Sequence, residues 1–206
     1  MHLHRATWDR LGEILKAHGS LPDSYFWEYL RDTYGPTQAV AVRRQADTHR
    51  DSASLGKLIS EIAGDPESVT RAFWISLWED PKDPFERDSG EWQWKENYAG
   101  EVADHLDPAI PAADRERLSA AAAAVKKYVD ENIAHSDKSP AEVEVTFNDV
   151  HAAIDTIGEL FTKYASLLTA KGWVMLTPVI QNDWEVVFRE PWIREDRPDP
   201  PRGPNS

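Results

Sequence analysis

The chain has no cysteine in its 206 residues. Disulfides, thiolate metal sites and cysteine nucleophiles are therefore excluded, although the compartment is left open. It also lacks any run of about 18 apolar residues, the length a membrane-crossing helix needs. The opening MHLHRATWDR has no apolar core of the kind a secretory signal requires. A cytoplasmic protein with no membrane partner is the expectation. Positive charge is scarce: 23 Lys and Arg against 36 Asp and Glu leave a net charge of −13. That balance opposes broad binding to phosphates, so any nucleic-acid contact needs a local basic cleft. Gly-x-Ser-x-Gly, glycine-rich phosphate loops and His-Glu-x-x-His are all missing.

What is present suffices for a core. Apolar residues make up 41%, and nine tryptophans supply large anchors. Periodicity is helical almost throughout. Trp8, Leu11 and Leu15 start a first helix, broken by HGSLPDS. SYFWEYLRDTY predicts a second, stopped at Gly35-Pro36, and TQAVAVRRQAD a third. Leu55, Leu58, Ile59 and Ile62 mark a fourth, ended by Gly64. Asp65-Pro66 reads as the start of a fifth, with Val69, Phe73 and Leu77 on one face. Residues 79–92 read as an exposed loop, with a helix from Trp92 to Leu106 after it.

DPAIPAAD then reads as a turn into a long helix ending near His135, with Val125, Val129 and Ile133 in its stripe. Thr146 and Asp149 fit a capping box. Phe147, Val150, Ile154, Ile157, Phe161, Tyr164 and Leu168 follow in alternating steps of three and four, a seam that asks for a long partner helix. TPVIQNDWEVVFREPWI suggests a short docked element. The expected fold is all-α: a single helical-bundle domain over residues 1–190, with two long antiparallel helices at its C-terminal end. The proline-rich stretch 191–206 is expected to be a disordered tail.

His135 suits proton transfer near neutral pH, and it equally suits a structural place at a helix C-terminus. Glu131 with His135, and His151 with Asp155, are each four apart, so a metal between two helices is a weaker alternative. Arg43, Arg44 and Arg50 in RRQADTHR form the densest positive run, and Lys126 and Lys127 lie upstream of His135. These cations could meet His135 in one cleft, or Arg43 and Arg44 could pair with Asp47 or Asp51 on a solvated helix end. Trp92 and Trp94 are either interface anchors or core.

DENIAHSDKS, followed by a proline and the helix TFNDVHAAIDTIGELFTKYASLL, resembles the C-terminal half of the HEPN superfamily, in its abortive-infection branch. AVRRQADTHRDSASLGKLISEIAGDPE resembles the arginine-and-aspartate segment and serine-leucine helix of that branch. The likeness covers roughly residues 20–170. It implies a helical bundle, often a homodimer, and a metal-independent endoribonuclease without cofactor, acting on RNA in bacterial defence or toxin-antitoxin systems. An antitoxin or other protein partner is implied as well. His135 matches the motif histidine, flanked by Asp130, Asn132 and Asp137. The motif arginine would fall at Val129, where this chain departs from the pattern. A valine cannot stabilise phosphate charge, so activity would need a substitute cation: Arg43, Arg44, Arg50 or Lys127. The alternative is a non-catalytic member kept for dimerisation or partner binding.

Overall fold

The computed structural model describes residues 1–17, 25–78, 84–99, 104–134, 145–172 and 175–189. Among them the chain is all-α: α1 His2–Ala17, α2 Tyr25–Gln45, α3 Leu55–Gly64, α4 Arg71–Ser76, α5 Pro84–Trp94, α6 Ala109–Tyr128 and α7 Phe147–Thr169. π-helical turns continue α5 over Lys95–Ala99 and α6 over Val129–Ala134. Short 3-10 segments occupy Pro66–Ser68 and Trp184–Phe188.

Local chemistry sets the helix starts. The Thr146 hydroxyl accepts from the Asp149 N–H, and the Asp149 carboxylate accepts from the Thr146 N–H at 2.8 Å, so α7 begins on a complete capping box. The Thr146 hydroxyl also donates to Asp149 Oδ2 at 2.7 Å, and this bond, then the one from the Thr146 N–H, holds the Asp149 carboxyl below the usual carboxylate range. Thr146→Ala is expected to destabilise the protein by about 1 kcal/mol. An unchanged urea midpoint would show that α7 does not depend on its cap. Ser54 caps α3 by accepting from the Lys57 N–H at 3.1 Å.

Packing centres on α6, which touches α2, α3 and α7, while α2 also lies against α7. Val42, Ile59, Val125 and Ile154 are fully buried between them. The alanine run keeps α6 slim where neighbours approach, and Ala122 is buried. Gly56 is required at the α2–α3 junction, since a Cβ there would lie 2.9 Å from the Ala46 and Asp47 backbone. Asp114 of α6 is buried and accepts from Lys163 at 2.6 Å and from the Tyr164 hydroxyl at 3.1 Å. Burial and the Asp114 charge push the Tyr164 phenol upward. Arg117 of α6 pairs with Glu159 of α7. The Trp184–Phe188 turn is tied to α1 by Glu185, which Arg10 Nε reaches at 2.7 Å.

Several expectations are corrected. α2 runs unbroken through Gly35-Pro36. Pro36 has no N–H for the Asp32 carbonyl, but Tyr34, Ala39 and Val42 are buried on both sides of it, and that packing outweighs one lost bond. Residues 84–92, expected in a loop, are helical as part of α5, whose end at Trp94 is buried in the core. The helix expected to reach Leu106 does not include it: His105 bridges to Thr70, and Leu106 donates its N–H to Val69 O.

Thr70, not Asp65, caps α4, and Trp74 rather than Phe73 carries its buried face. The expected DPAIPAAD turn forms the first turn of α6, where the missing N–H of Pro111 has no role. Phe161 is 44% exposed, whereas Leu160 and Leu167 are buried. The strict three-four seam drifts off the buried face of an α-helix with 3.6 residues per turn. Ile133 is 39% exposed because the π turn adds a residue and rotates it out of line with Val125 and Val129. The HGSLPDS break and the tail 191–206 lie outside the described residues.

Candidate functional site

The C-terminal half of α2 packs on the π turn after α6. This brings Arg43 to Asp130, with Nε 2.5 Å from Oδ1, and both side chains are a little over one-third exposed. The cross-helix pair replaces the expected pairing of Arg43 with Asp47 or Asp51. Asp47 instead accepts from the His49 N–H at 3.0 Å, turning the chain out of α2. Val129, where the resemblance led one to expect the motif arginine, is 3% exposed and belongs to the core. Glu131 has one carboxylate oxygen buried without a partner among the described residues. Asn132 is exposed and donates to the Tyr128 carbonyl at 3.2 Å within its own turn.

The remaining cations divide. Arg44 and Lys127 are exposed, and neither has an ion-pair partner among the described residues. Arg50 is 87% exposed in the turn after α2, 3.5 Å from Asp51, so it is not brought to the Arg43–Asp130 pair. His135 and Asp137, the expected catalytic histidine and its flanking aspartate, lie outside the described residues. Beside the end of α6 a cleft of about 550 Å³ opens, lined by Asp32, Gly35, Ala39, Tyr128, Thr146 and Phe147. Arg43 stands one α2 turn beyond Ala39, on the same helix face.

A second polar cluster joins His151 and Asp155, already a pair by their spacing, to Tyr34 and Arg5, whose approach had no signal in the sequence. Tyr34 O–H lies 2.8 Å from His151 Nε2, and the two rings meet edge to face. Arg5 donates to the His151 carbonyl at 3.4 Å and pairs with Asp155 and Asp9. His151 and Asp155 are thus engaged with Tyr34 and Arg5, not aimed as a pair of metal ligands. Burial, then the Arg5 charge, lowers the His151 pKa below the usual 6.5. Burial, then Asp9, pushes the Tyr34 phenol up to about 12, so its proton stays on near neutral pH. Because the unfolded imidazole takes a proton more readily than the folded one, stability should fall as pH drops below 6.5. The loss should end once the folded pKa is passed. Melting temperatures between pH 7.5 and 5 should show a shallower slope for His151→Phe, and an identical slope would remove His151 as a cause.

Of the two tryptophans singled out, Trp94 is buried and Trp92 is 63% exposed. Among the described residues, no helix is long and apolar enough to cross a membrane. No curated protein and no solved structure gives a significant match to the chain. A model of one family, HEPN_AbiU2, described as AbiU2, matches residues 4–187, beyond both limits of the expected 20–170. With nearly its whole length matched, the chain belongs to the HEPN_AbiU2 family, an abortive-infection-like branch of the HEPN superfamily.

Proposed function

We propose that this protein is a metal-independent endoribonuclease of bacterial defence or toxin-antitoxin type, in which Arg43 takes the place of the missing motif arginine. The observation that carries this reading is the Arg43–Asp130 contact at 2.5 Å, which sets a guanidinium beside the motif position from another helix. Nε is engaged by Asp130, and the two terminal nitrogens remain to hold a phosphate. His135 is the proton-transfer group. The RNA 2′-hydroxyl gives up its proton and its oxygen attacks the adjacent phosphorus, the bond to the 5′-oxygen breaks, and the departing oxygen takes up a proton, His135 carrying the transfer. Arg43 stabilises the charge that builds on the phosphoryl oxygens. Arg44 and Lys127 add positive charge near the same helix ends. A cytoplasmic homodimer, with an antitoxin or other protein controlling it, completes the reading.

One observation favours a second reading, a binding protein that cuts nothing. Val129 is in the core, and Asp130 and Glu131 put negative charge where a phosphate would approach. Cleavage of a labelled RNA pool in EDTA separates the two. Cleavage by wild type that His135→Ala removes supports the nuclease. Intact RNA with both proteins supports the binding role.

A further inference from the structure

A groove of about 280 Å³ lies between α6 and the chain leaving α2. It starts beside the Arg43–Asp130 pair. Ala46 in its wall is one turn past Arg43, and Lys126 is one turn before Asp130 on α6. Arg115 lines its far end, roughly 16 Å back along α6. Residues 115, 119 and 126 share one face of that helix, so both cations and the Ser119 hydroxyl front the groove, with Thr48 on the other wall. Arg115 and Lys126 are exposed, and neither has an ion-pair partner among the described residues. Elsewhere Arg5, Arg10, Arg71, Arg117 and Lys163 all pair with carboxylates. Glu116 is the one acid among the described residues lining the groove. Two unpaired cations against one acid make a locally positive strip on a chain with a net charge of −13.

We propose that this groove carries the RNA strand away from the scissile phosphate, with Lys126 and then Arg115 each holding one backbone phosphate. The inference rests on the ribonuclease reading above, but its test needs no cleavage. A positive groove that follows the backbone holds a single strand without reading its bases. The Thr48 and Ser119 hydroxyls can donate to phosphate oxygens between the two cations. No aromatic side chain is among the described residues lining the groove, so bases do not stack there. One phosphate cannot reach two cations so far apart, and the occupant is therefore a strand and not a free anion. A strand anchored beyond the cleavage point presents its scissile phosphate to Arg43 in a fixed register.

The test measures, by fluorescence anisotropy in EDTA, binding of the full chain to a labelled dodecamer of 2′-O-methyl RNA, which has no 2′-hydroxyl to attack with. Arg115→Ala and Lys126→Ala should each weaken binding about three- to fivefold, the scale of one solvent-exposed ion pair. The double variant should lose about tenfold or more, since the two sites are far enough apart to add. The slope of log affinity against log salt should become shallower by about 0.7 for each cation removed. Arg117→Ala, on the same helix but paired with Glu159 outside the groove, should bind as wild type does. All three side chains are exposed, so the variants should keep the wild-type melting temperature. Losses at Arg115 and Lys126 no greater than at Arg117, an unchanged salt slope, or no binding by wild type would each overturn the track. Adenosine 5′-monophosphate binding as tightly as the dodecamer would also overturn it, by making the groove a site for a free anion. Unmodified RNA that is bound through the groove but never cut would sink the nuclease and keep the track. RNA that is cut while both alanine variants bind and cut as wild type does would keep the nuclease and sink the track.

Discussion

Arg43→Ala is expected to lower RNA cleavage by about 10²- to 10³-fold, the usual cost of removing one preorganised donor to transition-state charge. His135→Ala should cost about 10²- to 10⁴-fold, the range for a proton-transfer group. Stability should hardly move with Arg43→Ala. The Arg43–Asp130 pair is more than one-third exposed, so it contributes at most about 1 kcal/mol. Asp130→Asn supplies the decisive comparison. If Arg43 holds the phosphate, releasing it from Asp130 leaves cleavage intact or faster, whereas Arg43→Ala shows the large loss stated above. If the pair is only a brace between α2 and α6, both variants lose the same small amount of stability and no cleavage is there to lose. Arg43→Lys should not rescue fully, because a point charge cannot reproduce a fork that bonds a carboxylate and a phosphate together. The double variant Arg43→Ala, Arg44→Ala should also lose RNA binding with the fold intact; unchanged binding would remove the cluster from the interface.

The largest effect on stability is expected at Trp74. It is fully buried, with ring centroids of Trp78, Trp94 and Tyr98 at 6.1, 6.4 and 5.0 Å. Its indole N–H donates to the Gly90 carbonyl at 2.8 Å, which joins α4 to α5. Trp74→Ala should cost about 3–5 kcal/mol through the cavity it leaves. For a chain of this size that is roughly 6–20 °C in melting temperature. Trp74→Phe keeps much of the volume and removes the indole bond to the Gly90 carbonyl, which keeps its place in the α5 ladder, so its smaller loss measures that bond. Trp92→Ala, at an exposed position, should stay within about 0.5 kcal/mol. Equal losses at Trp74 and Trp92 would mean that the aromatic cluster does not hold α4 and α5 to the body of the protein.

Much of this was legible along the chain. Helical spacing and the Thr146–Asp149 capping box announced α7 and its start, because caps and amphipathic faces are properties of neighbouring residues. The DENIAHSDKS and RRQADTHR segments pointed to a family whose membership the 4–187 match establishes. The same local logic failed wherever distant packing outweighed it. Pro36 reads as a helix stop, yet residues on both sides of it are buried against α6 and α7, and the helix continues. Ile133 follows the stripe of Val125 and Val129 by count, yet an extra residue in the π turn moves it outward. The Tyr34–His151 contact joins residues 117 positions apart, so no spacing rule could have found it.

The sequence by itself determined the all-α class, the absence of thiol chemistry and the acidic balance. Each of these follows from composition or from short-range order. Only the tertiary structure decided which cation stands beside Asp130. Among Arg43, Arg44, Arg50 and Lys127, the phase of α2 and its packing on the turn after α6 chose Arg43. Such a choice depends on how two helices cross, and helix crossing is set by the shape of the buried faces, not by the order of charges along the chain.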